Sequence, residues 1–216
     1  MSKRALIFPL VLGLLSACDN DPAGGKPTAE VAAPVATNTA DEPAADSAGK
    51  AFVFSNEGSE VNFVGAKVTG KHQGSFKTFS GSIHTPVDDP TKGKVKVEID
   101  VASLEADEPK LTTHLKSPDL LDAAKFPKAT FESTSIKAAE GGEATHEVTG
   151  NFTLHGETKG ITFPATIKAA DGAVEAVASF AIDRKQFGIT YPGMPDDLIK
   201  DEVLIDLKVQ AKPEAL

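Results

Sequence analysis

The chain has no tryptophan, one tyrosine, two methionines and one cysteine among 216 residues. A single cysteine, Cys18, excludes an intramolecular disulfide, so the fold must be held by its core. Arginine is scarce as well, at Arg4 and Arg184 only. The apolar run Ala5–Leu15 falls short of the roughly 20 residues that cross a bilayer. His72, His84, His114, His146 and His155 show no paired spacing of the His-x-His or His-x-x-x-His kind, and Asp196, Asp197, Asp201 and Glu202 lack calcium-loop spacing, so no metal or cofactor site is expected. There is no Gly-x-Ser-x-Gly elbow and no phosphate-cradling glycine loop opening a helix. An enzyme is not expected, although carboxylates paired across a sheet would leave no trace in spacing.

What is present begins with an export pattern. Lys3 and Arg4 precede the apolar run, and Leu15-Ser16-Ala17-Cys18 ends it, the layout of a removable signal over residues 1–17. Those four residues resemble the lipobox of bacterial lipoproteins, which implies that Cys18 is acylated, becomes the N-terminus and anchors the protein to a membrane. Each buried acyl CH₂ adds about 0.8 kcal/mol to such an anchor. Asp19-Asn20 resembles the inner-membrane retention signal of enterobacterial lipoproteins. Sorting rules differ between bacterial groups, so the expected location is the periplasmic side of the cell envelope, on the inner or the outer membrane.

Residues 18–49 are rich in Ala, Pro, Thr and Asp and lack aromatic residues and periodicity, which predicts a flexible tether with an r.m.s. reach of about 30 Å. Residues 50–216 are the size of one domain. Loss of Lys3 and Arg4 leaves 20 basic against 31 acidic side chains, a formal charge of −11. That balance argues against nucleic acid as a partner and against electrostatic docking on anionic lipid.

The domain alternates polar and apolar residues with period two. Val95, Val97, Ile99 and Val101 interleave with charged residues, and Val203, Ile205, Leu207 and Val209 do so near the C-terminus. Three more such runs are Val148–Leu154, Ile161–Ile167 and Val174–Ile182. Seven to nine strands emerge, joined by short Gly-bearing turns such as His155-Gly156 and Asp171-Gly172 that suit antiparallel hairpins. Phe76, Phe79 and Ile83 break parity, which predicts a β-bulge between Phe76 and Phe79. Long strands with Phe, Val and Ile on one face favour a barrel over a sandwich. Eight strands enclose room for packed side chains or for one small ligand, and the pattern alone leaves both open.

SPDLLDAAKFPKATFES, Ser117 to Ser133, interrupts the strand pattern as an acidic, leucine-bearing insert closed by Phe126-Pro127, within the wider run THLKSPDLLDAAKFPKATFESTSI, Thr113 to Ile136. The wider run resembles a segment of the YceI-like family of bacterial lipid-binding proteins, matching at His114, Leu115, Lys116, Ser117, Pro118, Asp119, Phe126, Pro127, Thr130, Phe131 and Ser133. Leu120 and Leu121 stand where that family often has an aromatic pair, a departure at the pocket mouth. VTGNFTLHGETKGITFP, FAIDRKQFGI and GSFKTFSGSI are similar to three further blocks of that family, in order. The resemblance spans about Phe54 to Val209.

It implies an all-β, extended lipocalin-like antiparallel barrel of about eight strands with a pocket for a polyisoprenoid chain or a quinone-like amphiphile. Lys110–Asp122 would form a short helical crossover, a lid or plug that Phe126-Pro127 ends. Phe63, Val97, Ile99, Phe131, Phe152, Phe163 and Phe180 would then wall the apolar pocket. His114 and Arg184 are the candidates for the head group, Arg184 because a guanidinium binds carboxylate or phosphate through two parallel bonds. A local turn contact for His114 and an ion pair with an acidic neighbour for Arg184 compete with that role. The expected function is a membrane-tethered carrier of an isoprenoid-type lipid. The alternative is an envelope interaction module with a packed barrel, whose protein partner the sequence does not name.

Overall fold

The computed structural model describes residues 20–36, 49–85, 89–170 and 172–214. The signal over 1–17, Cys18 and residues 37–48 of the expected tether lie outside the described residues. The strands are β1 (Glu30–Ala32), β2 (Lys50–Ser55), β3 (Glu60–Ala66), β4 (Lys71–Phe76), β5 (Phe79–Thr85), β6 (Lys94–Asp100), β7 (Leu104–Ala106), β8 (Lys128–Ala138), β9 (His146–Leu154), β10 (Glu157–Ala170), β11 (Ala173–Asp183), β12 (Gly193–Met194), β13 (Asp197–Leu198) and β14 (Glu202–Pro213). Among the described residues one α-helix, α1 (Pro109–Leu115), falls between β7 and β8.

Eight strands close into an antiparallel ring in the order β2-β5-β6-β8-β9-β10-β11-β14 and back to β2. The alternating runs read from the sequence fall on β6, β9, β10, β11 and β14. Their apolar faces point inward, where Phe52, Phe54, Ile99, Val148, Ile161, Phe163, Phe180 and Ile182 form one buried cluster. β14 pairs with β11 along most of its length, with β3 over Leu204–Lys208, and with β2 only at Lys212 and Pro213. At one end of the barrel, therefore, the wall continues through β3, β4 and β7. The His155-Gly156 turn joins β9 to β10 with both residues at positive φ, 53° and 78°, the two-residue form that matches strand twist.

Two expectations change. No bulge links Phe76 to Phe79: the strand breaks at Lys77-Thr78 and turns a corner, β4 pairing with β3 and β7, β5 with β2 and β6. Ser103 holds that corner, its Oγ accepting from Thr78 N and its carbonyl from Lys77 N. The bulge lies instead in β8, between Ser133 and Ser135. The helical crossover is also shorter than Lys110–Asp122. It stops at Leu115 because Pro118 disfavours helix in the residue before it, and Ser117–Phe126 then run as tight turns with Asp122 at φ 42°.

The larger departure is at the N-terminus, where residues 20–36 are a strap built into the barrel wall and not a free tether. β10 and β11 pair only at Thr166–Ala170 with Ala173–Val177 and splay apart beyond it. β1 fills the gap, pairing with Gly160–Thr162 of β10, while Ala29 N donates to Ala181 O and Ala181 N to Pro27 O across to β11. Pro164 stands where β10 passes from one neighbour to the other. Ala165 turns its carbonyl toward Thr145 on the β9 side, so the nitrogen of Pro164 faces the seam, where no donor is needed. Ala181, on the outer parity of β11, is fully buried beneath the strap. Asn151 ties down the far end through Val35 N and O.

Candidate functional site

The inward faces do not fill the barrel. A cavity of about 370 Å³ runs along the axis, and a smaller hollow of about 110 Å³ lies at the opposite end behind Phe54, Phe131 and Phe163, which border both. Glycine makes the room. Phe63 faces Gly74 across β3–β4 and Phe54 faces Gly81 across β2–β5, and each ring lies flat over its glycine. Phe131 does the same over Gly150, where a Cβ would sit 2.5 Å from Phe131 Cζ. The rings thus lie close against the wall, with Phe54 and Phe131 also standing between the two hollows. Phe163 stacks on Phe180 at 4.2 Å between centroids and tilts against Phe131 at 5.7 Å, which fixes the middle of the chamber.

All seven residues expected in an apolar pocket, Phe63, Val97, Ile99, Phe131, Phe152, Phe163 and Phe180, line this cavity, as do His114 and Arg184. The insert covers one end with Leu111, Leu115, Leu120 and Leu121. Leu120 and Ala123 are buried in the core, so the insert is packed down. The family-like blocks also meet one another there. The Phe126 ring stands edge-on to His155 at 4.7 Å and over Gly156, His155 Nδ1 lies 3.2 Å from Phe187 O, and buried Phe187 meets Phe152 edge-on at 5.3 Å.

The polar groups of the cavity gather at this mouth: Lys67, His72, His114, Arg184, Tyr191 and Asp197. They are not equally available. Arg184 is 4% exposed, and its guanidinium donates through Nη1 to Ile189 O at 2.7 Å, through Nε to Lys200 O at 3.1 Å, and through Nη2 to Ile199 O and Asp201 Oδ1. Burial pushes its pKa down, while Asp201 and Asp183 pull it back up. Arg184 thereby fastens the 189–201 loop that frames the mouth, and most of its fork is committed to protein. His114 stands edge-on to Tyr191 at 5.2 Å, with Nε2 3.5 Å from Asp119 Oδ2. His72 Nδ1 lies 3.1 Å from Asp107 Oδ1.

Sequence spacing gives no reason to single out Lys67, His72 or Tyr191, because the β3–β4 hairpin, which carries Lys67 and His72, and the 189–201 loop, which carries Tyr191, are distant in the chain and come together only in the fold. Tyr191 is the chain's single tyrosine, the one signal that could have drawn notice. Among the described residues no three His, Cys, Asp or Glu side chains gather as a metal ion requires. An elongated apolar chamber with a few polar groups at one end can hold an amphiphile by its tail and orient its head.

Known proteins agree with this geometry. The YceI-like domain matches residues 52–211. A UPF0312 protein of Pseudomonas putida strain W619 is 34% identical over 139 residues, 62% of this chain and 71% of the relative. One from Pseudomonas syringae pv. tomato is 36% identical over 126 residues, 56% of this chain and 65% of the relative. Burkholderia cenocepacia BcnA superposes with a TM-score of 0.63 at 26% identity, over 71% of this chain and 96% of that one. A polyisoprenoid binding domain from Saccharophagus degradans superposes with a TM-score of 0.58 at 15% identity, over 75% and 98%. On fold and sequence alike, this chain belongs to the YceI-like domain family.

Proposed function

We propose that the protein is a binding or carrier protein, not an enzyme, that holds one isoprenoid-type lipid or similar amphiphile in its barrel, on the periplasmic side of the cell envelope, anchored through acylated Cys18. The observation that carries this reading is the aromatic and aliphatic cavity of about 370 Å³ with its polar groups confined to one mouth. A barrel serving only as an interaction surface has no use for phenylalanines laid over glycines to keep the lumen open. The polyisoprenoid binding domain of Saccharophagus degradans shares the fold and makes that ligand class the first to try. The tail supplies the affinity, about 2.5 kcal/mol for each 100 Å² of apolar surface taken from water. His72, His114 and Tyr191 are placed to meet the head.

Purification without detergent, extraction into organic solvent and mass spectrometry test the reading. A stoichiometric isoprenoid or quinone is the expected result. A protein that emerges empty and takes up no added isoprenoid would overturn it.

A further inference from the structure

The strap begins at the cavity mouth, and covalent geometry then confines Cys18. Asn20 Nδ2 donates to the carbonyls of Lys67 at 2.9 Å and Val68 at 3.2 Å, and Lys71 Nζ donates to Asp21 O. Two residues span at most about 7 Å, so Cys18 lies within that distance of a residue fastened to the β3–β4 turn. A tether of about 30 Å would let the barrel tumble above a membrane. An anchor this close holds one end against it.

That end is apolar. Val68 is 58% exposed on the β3–β4 turn, and Met194 and Leu198 are 62% and 49% exposed on the neighbouring β12–β13 hairpin. These three are half of the six large apolar side chains exposed among the described residues, and the other three, Val35, Val53 and Val177, sit on separate segments. Turn and hairpin form one surface. Val68 N donates to Leu198 O, and Thr69 N and Oγ1 both donate to Asp197 Oδ1. Lys67 Nζ sits 2.8 Å from Asp197 Oδ2, so these two charges offset each other, and Asp196 at the tip of the hairpin adds one exposed carboxylate. Lys67, Met194 and Asp197 also line the cavity.

We propose that this face is a bilayer-docking surface: the anchored protein rests mouth-down on the leaflet that holds its acyl chains, with Val68, Met194 and Leu198 in the interface. The proposal rests on the acylation of Cys18 and extends the carrier reading, because lipid then moves between leaflet and cavity without crossing water. Three side chains bind a bilayer weakly alone, but an anchor a few ångströms away keeps their effective concentration at the surface high. The net charge of −11 is no obstacle on a neutral leaflet.

The test uses the full-length protein purified from membranes in its processed form and reconstituted into phosphatidylcholine vesicles. Nitroxide labels are placed singly at Val68→Cys, Leu198→Cys and, on the barrel wall, Val177→Cys, all exposed positions where substitution leaves the core intact. Paramagnetic accessibility is read with oxygen, which partitions into lipid, and with a nickel chelate, which stays in water. The expected result is an oxygen-to-nickel ratio shifted toward lipid at 68 and 198 and toward water at 177. The mass of the peptide bearing Cys18 is measured in the same preparation. An acylated peptide with equal ratios at all three sites overturns the docking surface and leaves the anchor standing, whereas an unmodified Cys18 overturns both.

Discussion

A Cβ added at Gly81 would lie 2.1 Å from Phe54 Cζ. Phe54 is itself packed in the core, so its ring could escape only into the lumen. Gly81→Ala should therefore lower stability by about 1–3 kcal/mol as overpacking does, and reduce lipid capacity as well. A double-mutant cycle with Phe54→Ala checks the cause, since relief of the clash makes the two changes strongly non-additive and simple additivity would refute it. Arg184 raises the opposite issue, loss of donors. Arg184→Lys keeps the charge but cannot reach Ile189, Ile199, Lys200 and Asp201 at once, and hydrogen bonds from charged donors contribute about 1.5–3 kcal/mol each. A drop of about 3 kcal/mol in denaturant unfolding is expected. Full stability in the lysine variant would return Arg184 to the list of head-group ligands.

The strap and the mouth hairpin are the elements whose behaviour can be read separately from the barrel. With residues 20–36 in place, the Ala181 amide is covered and bonded to Pro27. Hydrogen exchange at Ala181 and Thr162 should be slow in the full chain and much faster once those residues are removed, with the bared edge of β10 prone to self-association. At the hairpin, hydrogen bonds from Lys67 and Thr69 hold the Asp197 carboxyl below its ordinary value of 3.8. A carboxylate with a lowered folded pKa stabilises above its unfolded value and loses that contribution as pH falls through the folded one. The protection of the Thr69 amide, its exchange rate relative to the intrinsic rate at each pH, should stay constant from neutral pH down to about 4 and fall below it, a step that Asp197→Asn removes. The alternating strands were legible because each has one wet face and one apolar face. The strap was not, because Pro27, Ala29 and Val31 enter an open seam through backbone bonds that ask for no side-chain pattern. Pro164 inside an otherwise regular strand was the trace it left. The apolar wall was likewise readable from Phe and Val parity, whereas His72, Tyr191 and Lys67 meet only after folding.

For the molecule as a whole, two hollows separated by Phe54, Phe131 and Phe163 predict how affinity responds to ligand length. Titration with isoprenoids of increasing length should show steady gains while the larger chamber fills. A further gain follows if the tail passes the three rings, and a plateau beyond it. Affinity that tracks the head group and ignores tail length would be incompatible with tail burial as the driving force. The fastening of the ring by β14 has another consequence, one that belongs to time. β2 lies near the start of the domain and its ring partner on one side is the last two residues of β14, so this pairing spans the whole domain. Such non-local closure is slow by nature. As the chain is made or threaded through a pore from its N-terminus, every other strand is present before an interior exists, and a chain cut a dozen residues short would be a curved sheet with nothing to enclose.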